Sequence, residues 1–493
     1  MAARFAAGDD DLAGLVRTRQ DAIDGWRRLD RALVEAESHP PDKRDVQAEA
    51  RLREDLAALD RRLTGLDAEL AQAFPDYAEL ATPEPVALAD IQALLGAHEA
   101  LLAYLVGNDS TFLWVVRPDR AELHRIAVGA DDLAGAVAEL RAGLDPTTIR
   151  LLGEIPPFDT TKAYELYSRI FAPAEPLLDG VRHLMVVPDG ALQSLPVGVL
   201  VTEEPQGPIT DFADYRRVPW LARRYAVTVL PSVGSLRALR QFAEASRATR
   251  PFIGFGDPLL EGRPRSGRGI ELAALFSRGA IADVDAVREL PALPETADEL
   301  AALAEALGAG DDSLFLRERA TERGLKSADL SDYRVLAFAT HGLVAGQLSG
   351  VAEPALVLTP PEEGTEEDDG LLTASEVALL KLDADWVILS ACNTAAPDGS
   401  PGAEGLSGLA KAFFYAGSRA LLVSHWPVFS DPAVKLTTRM FAEASDHPEI
   451  GRAEALRRSM LALMEDAENP NYAHPMFWAP FIVVGEGGVF KSL

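Results

Sequence analysis

Two apolar runs constrain this chain more than any other feature. Arg334-Val335-Leu336-Ala337-Phe338-Ala339-Thr340 runs into His341-Gly342, and Trp386-Val387-Ile388-Leu389-Ser390-Ala391 runs into Cys392-Asn393-Thr394. Each is short, bounded by polar residues or glycine, and apolar at consecutive rather than alternate positions. That is what a strand buried on both faces requires. Strands of this kind belong to an open, mostly parallel sheet sandwiched by helices, where chemistry collects beyond the carboxyl ends of the strands. An imidazole and a thiol delivered to one sheet edge form a nucleophile and its base.

The surrounding pattern agrees with an α/β fold. Expected strands at 252–256, 313–317, 355–358, 386–390 and 418–424 alternate with expected helices at 295–307, 373–380 and 404–416. A last strand is expected within 478–484. Earlier in the chain, runs at 100–106 and 111–116 flank Gly107-Asn108-Asp109-Ser110, a hairpin signal. A third strand at 122–128, helices at 131–144 and 162–178, and strands at 183–187 and 225–230 complete this part. It holds no cysteine, and His183 opens a strand instead of closing one, so it reads as a β-containing supporting region. Residues 10–75 read as two long helices, the second with Leu52, Leu56, Leu59, Leu63, Leu66 and Leu70 spaced by fours and threes. The expected division is a helical hairpin over 1–84, an α/β supporting part over 85–246 and a catalytic part over 247–493.

Composition narrows the function. A net charge of −29 argues against nucleic acid or an anionic membrane as partner, because phosphate binding needs clustered Lys and Arg. It suits basic substrates or basic protein surfaces, or simply solubility. One cysteine in 493 residues precludes a disulfide within the chain. With no apolar leader after Met1 and no run of membrane-spanning length, the expectation is a cytoplasmic protein. No Cys/His/Asp spacing suggests a zinc site, and neither metal nor cofactor is expected.

Ala339-Thr340-His341-Gly342 together with Leu389-Ser390-Ala391-Cys392-Asn393-Thr394 resembles the CHAT family of caspase-like cysteine peptidases, relatives of the separases. Val186-Val187-Pro188-Asp189-Gly190, Gly254-Phe255-Gly256-Asp257-Pro258, Gly405-Leu406-Ser407-Gly408-Leu409 and His474-Pro475 before Trp478 add to the resemblance, which runs from about Ile91 to Gly485. His precedes Cys by 51 residues, in the order and at about the distance of caspases. Two positions depart from the family: Ala395 stands where Gly is usual, and His425 where Leu is usual before Trp-Pro-Val.

The resemblance implies a caspase-like sheet and a cysteine endopeptidase acting on protein substrates, with His341 as base and Cys392 as nucleophile. The amides of Gly342 and Cys392 suit the oxyanion hole, glycine because it lets substrate approach its backbone. Similarity to separases makes the segment after 418–424 the wall of the substrate pocket, with Ser424, Trp426 and the carboxylate of Asp431 in contact with substrate. Asp431 also reads as a helix cap before Pro432. Against the enzymatic reading, free Cys is among the most buried residue types, and a caspase-like fold also serves as a silent scaffold or interaction module. The N-terminal helices are the candidate docking element for a regulatory partner. The acidic loop 360–370, with six carboxylates, reads as solvated or as a cleavage loop. Gly254-Phe255-Gly256 lacks the third glycine of a dinucleotide site.

Overall fold

The computed structural model describes residues 46–73, 86–146, 154–241, 246–262, 284–343, 354–365, 367–390 and 407–488, with single positions between 15 and 33. The chain divides into two compact units, Met1–Pro85 and Val86–Leu493.

The first unit holds α1 (Val46–Ala73), and the described positions between 15 and 33 are helical as well. A Cβ on Gly25 would meet Leu59 at 3.2 Å, and Arg19 pairs with Asp67 at 2.5 Å. Numbers that rise along one helix fall along the other, so the two helices are antiparallel. Leu56 and Leu66 are buried on the seam that the fours-and-threes spacing marks. The expected turn at His39-Pro40-Pro41-Asp42 lies outside the described residues.

In the second unit, α2 (Leu88–Leu94) leads into β1 (Glu99–Val106), β2 (Thr111–Val116) and β3 (Ala121–Ile126). Then come α3 (Ala130–Ala142), α4 (Thr160–Ile170), β4 (His183–Val187), β5 (Ala226–Val229) and α5 (Val233–Gln241). The helix expected over 162–178 stops at Ile170, and Ala172–Leu177 tightens to a 3-10 turn around Pro173 and Pro176. A proline ring clashes with the preceding helical turn, and its missing N–H breaks the ladder.

Further along come β6 (Arg250–Pro258), α6 (Glu295–Ala306), β7 (Leu314–Arg317), β8 (Tyr333–Ala339), β9 (Gly342–Leu343), β10 (Ala355–Val357), β11 (Leu371–Thr373), β12 (Trp386–Leu389), α7 (Ser407–Ala416), β13 (Ala420–Ser424), α8 (Ser430–Asp446), α9 (Arg452–Met464) and β14 (Phe481–Gly485), with short helices at Val284–Arg288, Glu322–Ser327, Ala374–Ala378 and Pro475–Trp478 between them. Among the described residues eleven strands form one sheet in the order β3-β2-β1-β4-β5-β14-β13-β12-β8-β6-β7, and β11-β10-β9 form a second, small one. The strand expected at 355–358 therefore stands outside the main sheet.

The main sheet consists of two mostly parallel halves. β13, β12, β8, β6 and β7 run one way, while β1, β4, β5 and β14 run parallel to one another. The halves meet at β13 and β14, which pair antiparallel. Both faces are buried, as the unbroken apolar runs require. Val335, Ala337 and Ile388 point into one core with Leu300 and Leu303 of α6 and Leu436 of α8. Leu336, Phe338, Val387 and Leu389 point into another with Leu409 and Phe413 of α7. Burying one such side chain stabilises the fold by about 1.5–3 kcal/mol, so these runs hold the centre of the sheet together.

The two glycines of Gly254-Phe255-Gly256 serve helix-on-sheet packing. A Cβ at Gly254 would lie 3.0 Å from Leu300, and one at Gly256 2.7 Å from Leu300 and 2.8 Å from the Ala339 carbonyl oxygen. Gly256→Ala should therefore cost about 1–3 kcal/mol through overpacking, measured by chemical denaturation. An unchanged midpoint would mean that α6 is free to shift.

Candidate functional site

The strands β6, β8, β12 and β13 run parallel and end at one edge of the sheet. β8 and β12 are parallel neighbours, with Trp386 opposite Val335 and Leu389 opposite Phe338. Beyond the paired residues, the Ser390 N–H still donates to the Phe338 carbonyl at 3.0 Å. His341 follows β8 after two residues. Cys392, two positions past Ser390, lies outside the described residues, as does Ala395.

The backbone of His341 is clamped by the small sheet. The Val357 N–H donates to the His341 carbonyl at 2.9 Å, and the Thr340 hydroxyl donates to the Val357 carbonyl at 2.5 Å. Gly342 enters β9 opposite Leu356 of β10. The imidazole is half-buried, and its Nε2 lies 2.7 Å from the Pro291 carbonyl oxygen. A carbonyl can only accept, so Nε2 carries the proton and Nδ1 keeps its lone pair. Burial lowers the pKa of His341 below the ordinary histidine value, against smaller upward pulls from the Pro291 bond and the Glu295 charge. The ring is thus a neutral base near pH 7.

Sequence reasoning missed the segment Pro291–Glu299, which supports the edge at four points. Besides the Pro291 carbonyl, Glu295 sits in the first turn of α6 and biases His341. The Thr296 hydroxyl accepts from the Asp257 N–H at 2.9 Å. Glu299 is buried, and its carboxyl lies beside Ser390, whose hydroxyl pulls its pKa down while burial pushes it up to about 7. Neither Glu299 Oε1 nor Ser390 Oγ completes a hydrogen bond of normal geometry among the described residues. A backbone carbonyl carries no residue signature, so Pro291 left no trace in the sequence. Glu299 left one, a carboxylate on the apolar face of a helix, between Thr296 and Leu300 and Leu303.

Asp257 and Arg317, at the ends of β6 and β7, adopt positive φ angles of 43° and 52° and form an ion pair at 3.4 Å. Both backbones are pinned. Besides Thr296 on Asp257, the Thr359 hydroxyl donates to the Arg317 carbonyl at 2.6 Å. Two strained non-glycine residues at one sheet edge mark it as a place where geometry outranks stability.

Ser424 ends β13 and Trp426 follows; both are buried, and Trp426 Nε1 donates to the Met476 carbonyl at 3.0 Å. Asp431 is 66% exposed, pairs with Lys435 one turn later, and accepts a hydrogen bond from the Tyr472 hydroxyl. It does not cap α8: Phe429 occupies the N-cap, with Asp431 in the first turn, where a negative charge suits the helix dipole. His425 is buried beside Arg141 and held far down, to about 3, by burial first and by that cation second. It borders a cavity of about 60 Å³ between Leu195, Pro231 and Ile482. In the acidic loop, Asp368 is buried, and the N–H groups of Asp369 and Gly370 donate to Glu322 Oε2 at 2.6 and 2.9 Å. Among the described residues no cluster of His, Cys, Asp and Glu could hold a metal ion, and none of their helices is long and apolar enough to cross a membrane.

The family model for the CHAT domain matches residues 160–486. Tetratricopeptide repeat protein 28 of Mus musculus is 28% identical over 227 residues, which is 39% of this chain and 8% of that protein. The chain therefore spans less than a tenth of that relative's length. Two crystal structures of the Saccharomyces cerevisiae separase–securin complex align over 94% of this chain and 37% of the separase-complex chain, with 9% and 10% identity and TM-scores of 0.43.

The raised Glu299 pKa carries a stability signature. Its folded value exceeds that of the unfolded chain, so its contribution is complete below the ordinary carboxylate range and is lost as pH rises through about 7. Glu299→Gln should flatten this part of the stability profile and melt higher than wild type at pH 8. Parallel melting curves for the two proteins from pH 5 to 8 would refute the shift.

Proposed function

The chain belongs to the CHAT-domain family, and on that premise we propose that it is a cysteine endopeptidase with His341 and Cys392 as its catalytic dyad. The observation that carries this reading is the strand register. β12 runs beside β8 with every paired residue offset by 51 positions, from Trp386–Val335 to Leu389–Phe338. The same 51 positions separate Cys392 from His341. The shared offset supports the pairing of these two residues as one site.

The chemistry follows from the tautomer of His341. With Nε2–H committed to the Pro291 carbonyl, Nδ1 is the atom that takes the thiol proton. The Cys392 thiolate then attacks the substrate carbonyl carbon, and the oxygen gathers negative charge against the amides of Gly342 and Cys392. The imidazolium returns its proton to the departing amine, and water hydrolyses the thioester. A lowered His341 pKa keeps the base available at neutral pH. In this reading 247–493 is the catalytic part and 85–246 its support. Asp431, alone of the three proposed substrate contacts, is open to solvent.

Cys392→Ala and His341→Ala should each lower peptide cleavage by orders of magnitude, and the double variant should be hardly worse than either, because the pair acts as a unit. A peptide-library screen with the wild-type protein identifies the substrate class. Wild-type cleavage by Cys392→Ala would overturn the assignment, and an inert wild type that still binds protein partners would favour a scaffold.

The helical hairpin of the first unit is the proposed docking element for a regulatory partner. Removing residues 1–84 should reduce partner-dependent cleavage much more than cleavage of a short peptide. Equal losses in both assays would reduce the hairpin to structural support.

A further inference from the structure

Glu299 is a buried group that the mechanism above does not use. It is 4% exposed, on the face of α6 that packs against the sheet, between Thr296 and Leu300. Its Oε1 and the Ser390 Oγ are both shielded from water, and both lack a hydrogen-bond partner among the described residues. They are nevertheless neighbours, since the Ser390 hydroxyl acts on the Glu299 carboxyl. Two orphaned polar groups side by side in a dry site are costly unless they serve one another. Among the described residues no cation offsets the carboxyl. The charged group that acts on it is Glu295, one turn earlier and of the same sign, and Glu295 in turn acts on His341. Among the described residues, β6 and α8 bring no partner from their faces against α6. β6 offers Gly254 and Gly256 to Leu300, with Asp257 held by Thr296. The buried face of α8 is Pro432, Ala433, Leu436, Thr437, Met440 and Phe441.

We propose that Glu299 is a positioning residue for the nucleophile: it bonds the Ser390 hydroxyl and so fixes the end of the strand from which Cys392 departs. The proposal rests on the reading of Cys392 as the nucleophile. Ser390 is the last described residue of that strand end and is tied by its N–H to Phe338 of β8. A bond from α6 to its side chain holds the same residue from the helix side. The two anchors together set the direction in which the chain leaves the sheet, and with it the approach of Cys392 to Nδ1 of His341. A carboxyl whose pKa burial pushes up to about 7 does this with less negative charge next to Glu295 than an ordinary carboxylate would bring. The closed surroundings of Glu299 favour this role over direct contact with a basic substrate side chain.

Because Cys392 is the sole cysteine, alkylation of the full-length protein with iodoacetamide reads one thiol. The test compares wild type, Glu299→Gln, Glu299→Ala and Ser390→Ala by alkylation rate at pH 7 and by kcat and KM on a peptide the wild type cleaves. Glu299→Ala should slow alkylation and lower kcat about tenfold or more, the scale on which mispositioned catalytic groups act, with KM unchanged. Glu299→Gln, which keeps the hydrogen bond without the charge, should restore most of both. Ser390→Ala should move both in the direction of Glu299→Ala, and it decides the matter if Glu299→Ala fails to fold. Wild-type alkylation and turnover in Glu299→Ala, or in Ser390→Ala where that variant must decide, would overturn the proposal. So would a Glu299→Gln variant that loses only substrates with Lys or Arg at the cut, which would make the carboxylate a substrate contact. If wild type cleaves no peptide, the peptidase reading fails by itself, while the alkylation rates still decide whether Glu299 governs Cys392.

Discussion

The pairing of β14 between β5 and β13 is the constraint on which the rest of the molecule depends. The last strand of the chain runs parallel to β5 and antiparallel to β13. Without it, each half of the sheet would expose a row of unsatisfied N–H and C=O groups along an apolar edge. Phe481–Gly485 pair along their whole length with β13 and through Val483 and Val484 with β5, and all five residues are buried. The two halves thereby become one sheet, with the half that carries the candidate site held at its edge.

That continuity explains how a site built from strand ends can be accurate. His341 is not positioned by its own strand alone. Thr340 and the His341 carbonyl are tied to Val357, the ring is tied to Pro291, and β8 is flanked by β6 and β12. Each tie comes from a different part of the chain. The strained pair Asp257 and Arg317 persists because Thr296 and Thr359 hold the backbone around it. Such over-determination lets a site keep conformations that would relax elsewhere.

The buried carboxyls follow a related logic. Glu322 is fully buried and pushed up to about 7 by desolvation and the nearby Glu376 charge, yet it accepts from Lys326 and from two backbone N–H groups of the acidic loop. The loop's end is thus attached to the helix at 322–327. Glu299 has the burial without such partners among the described residues, and that contrast is what singles it out.

Much of this was legible in the sequence. Consecutive apolar residues can only be accommodated in strands covered on both faces, so β8 and β12 were readable, as were the hairpin β1–β2 and the βα alternation from β6 onward. The same reasoning placed His341 at a strand end, because a polar residue after such a run has nowhere else to go. Period and polarity act locally, which is why sequence carries them. Direction and pairing do not. That the two halves of the sheet run oppositely, that β10 leaves the main sheet, and that β14 joins the halves depend on pairing between separate segments, from 12 residues apart for Leu343 and Ala355 to 255 for Thr228 and Val483. The environment of the site belongs to this second class. The Pro291 carbonyl has no side-chain signature, the exposure of Asp431 depends on Tyr472 and Lys435, and the burial of Glu299 beside Ser390 exists only once α6 lies on the sheet.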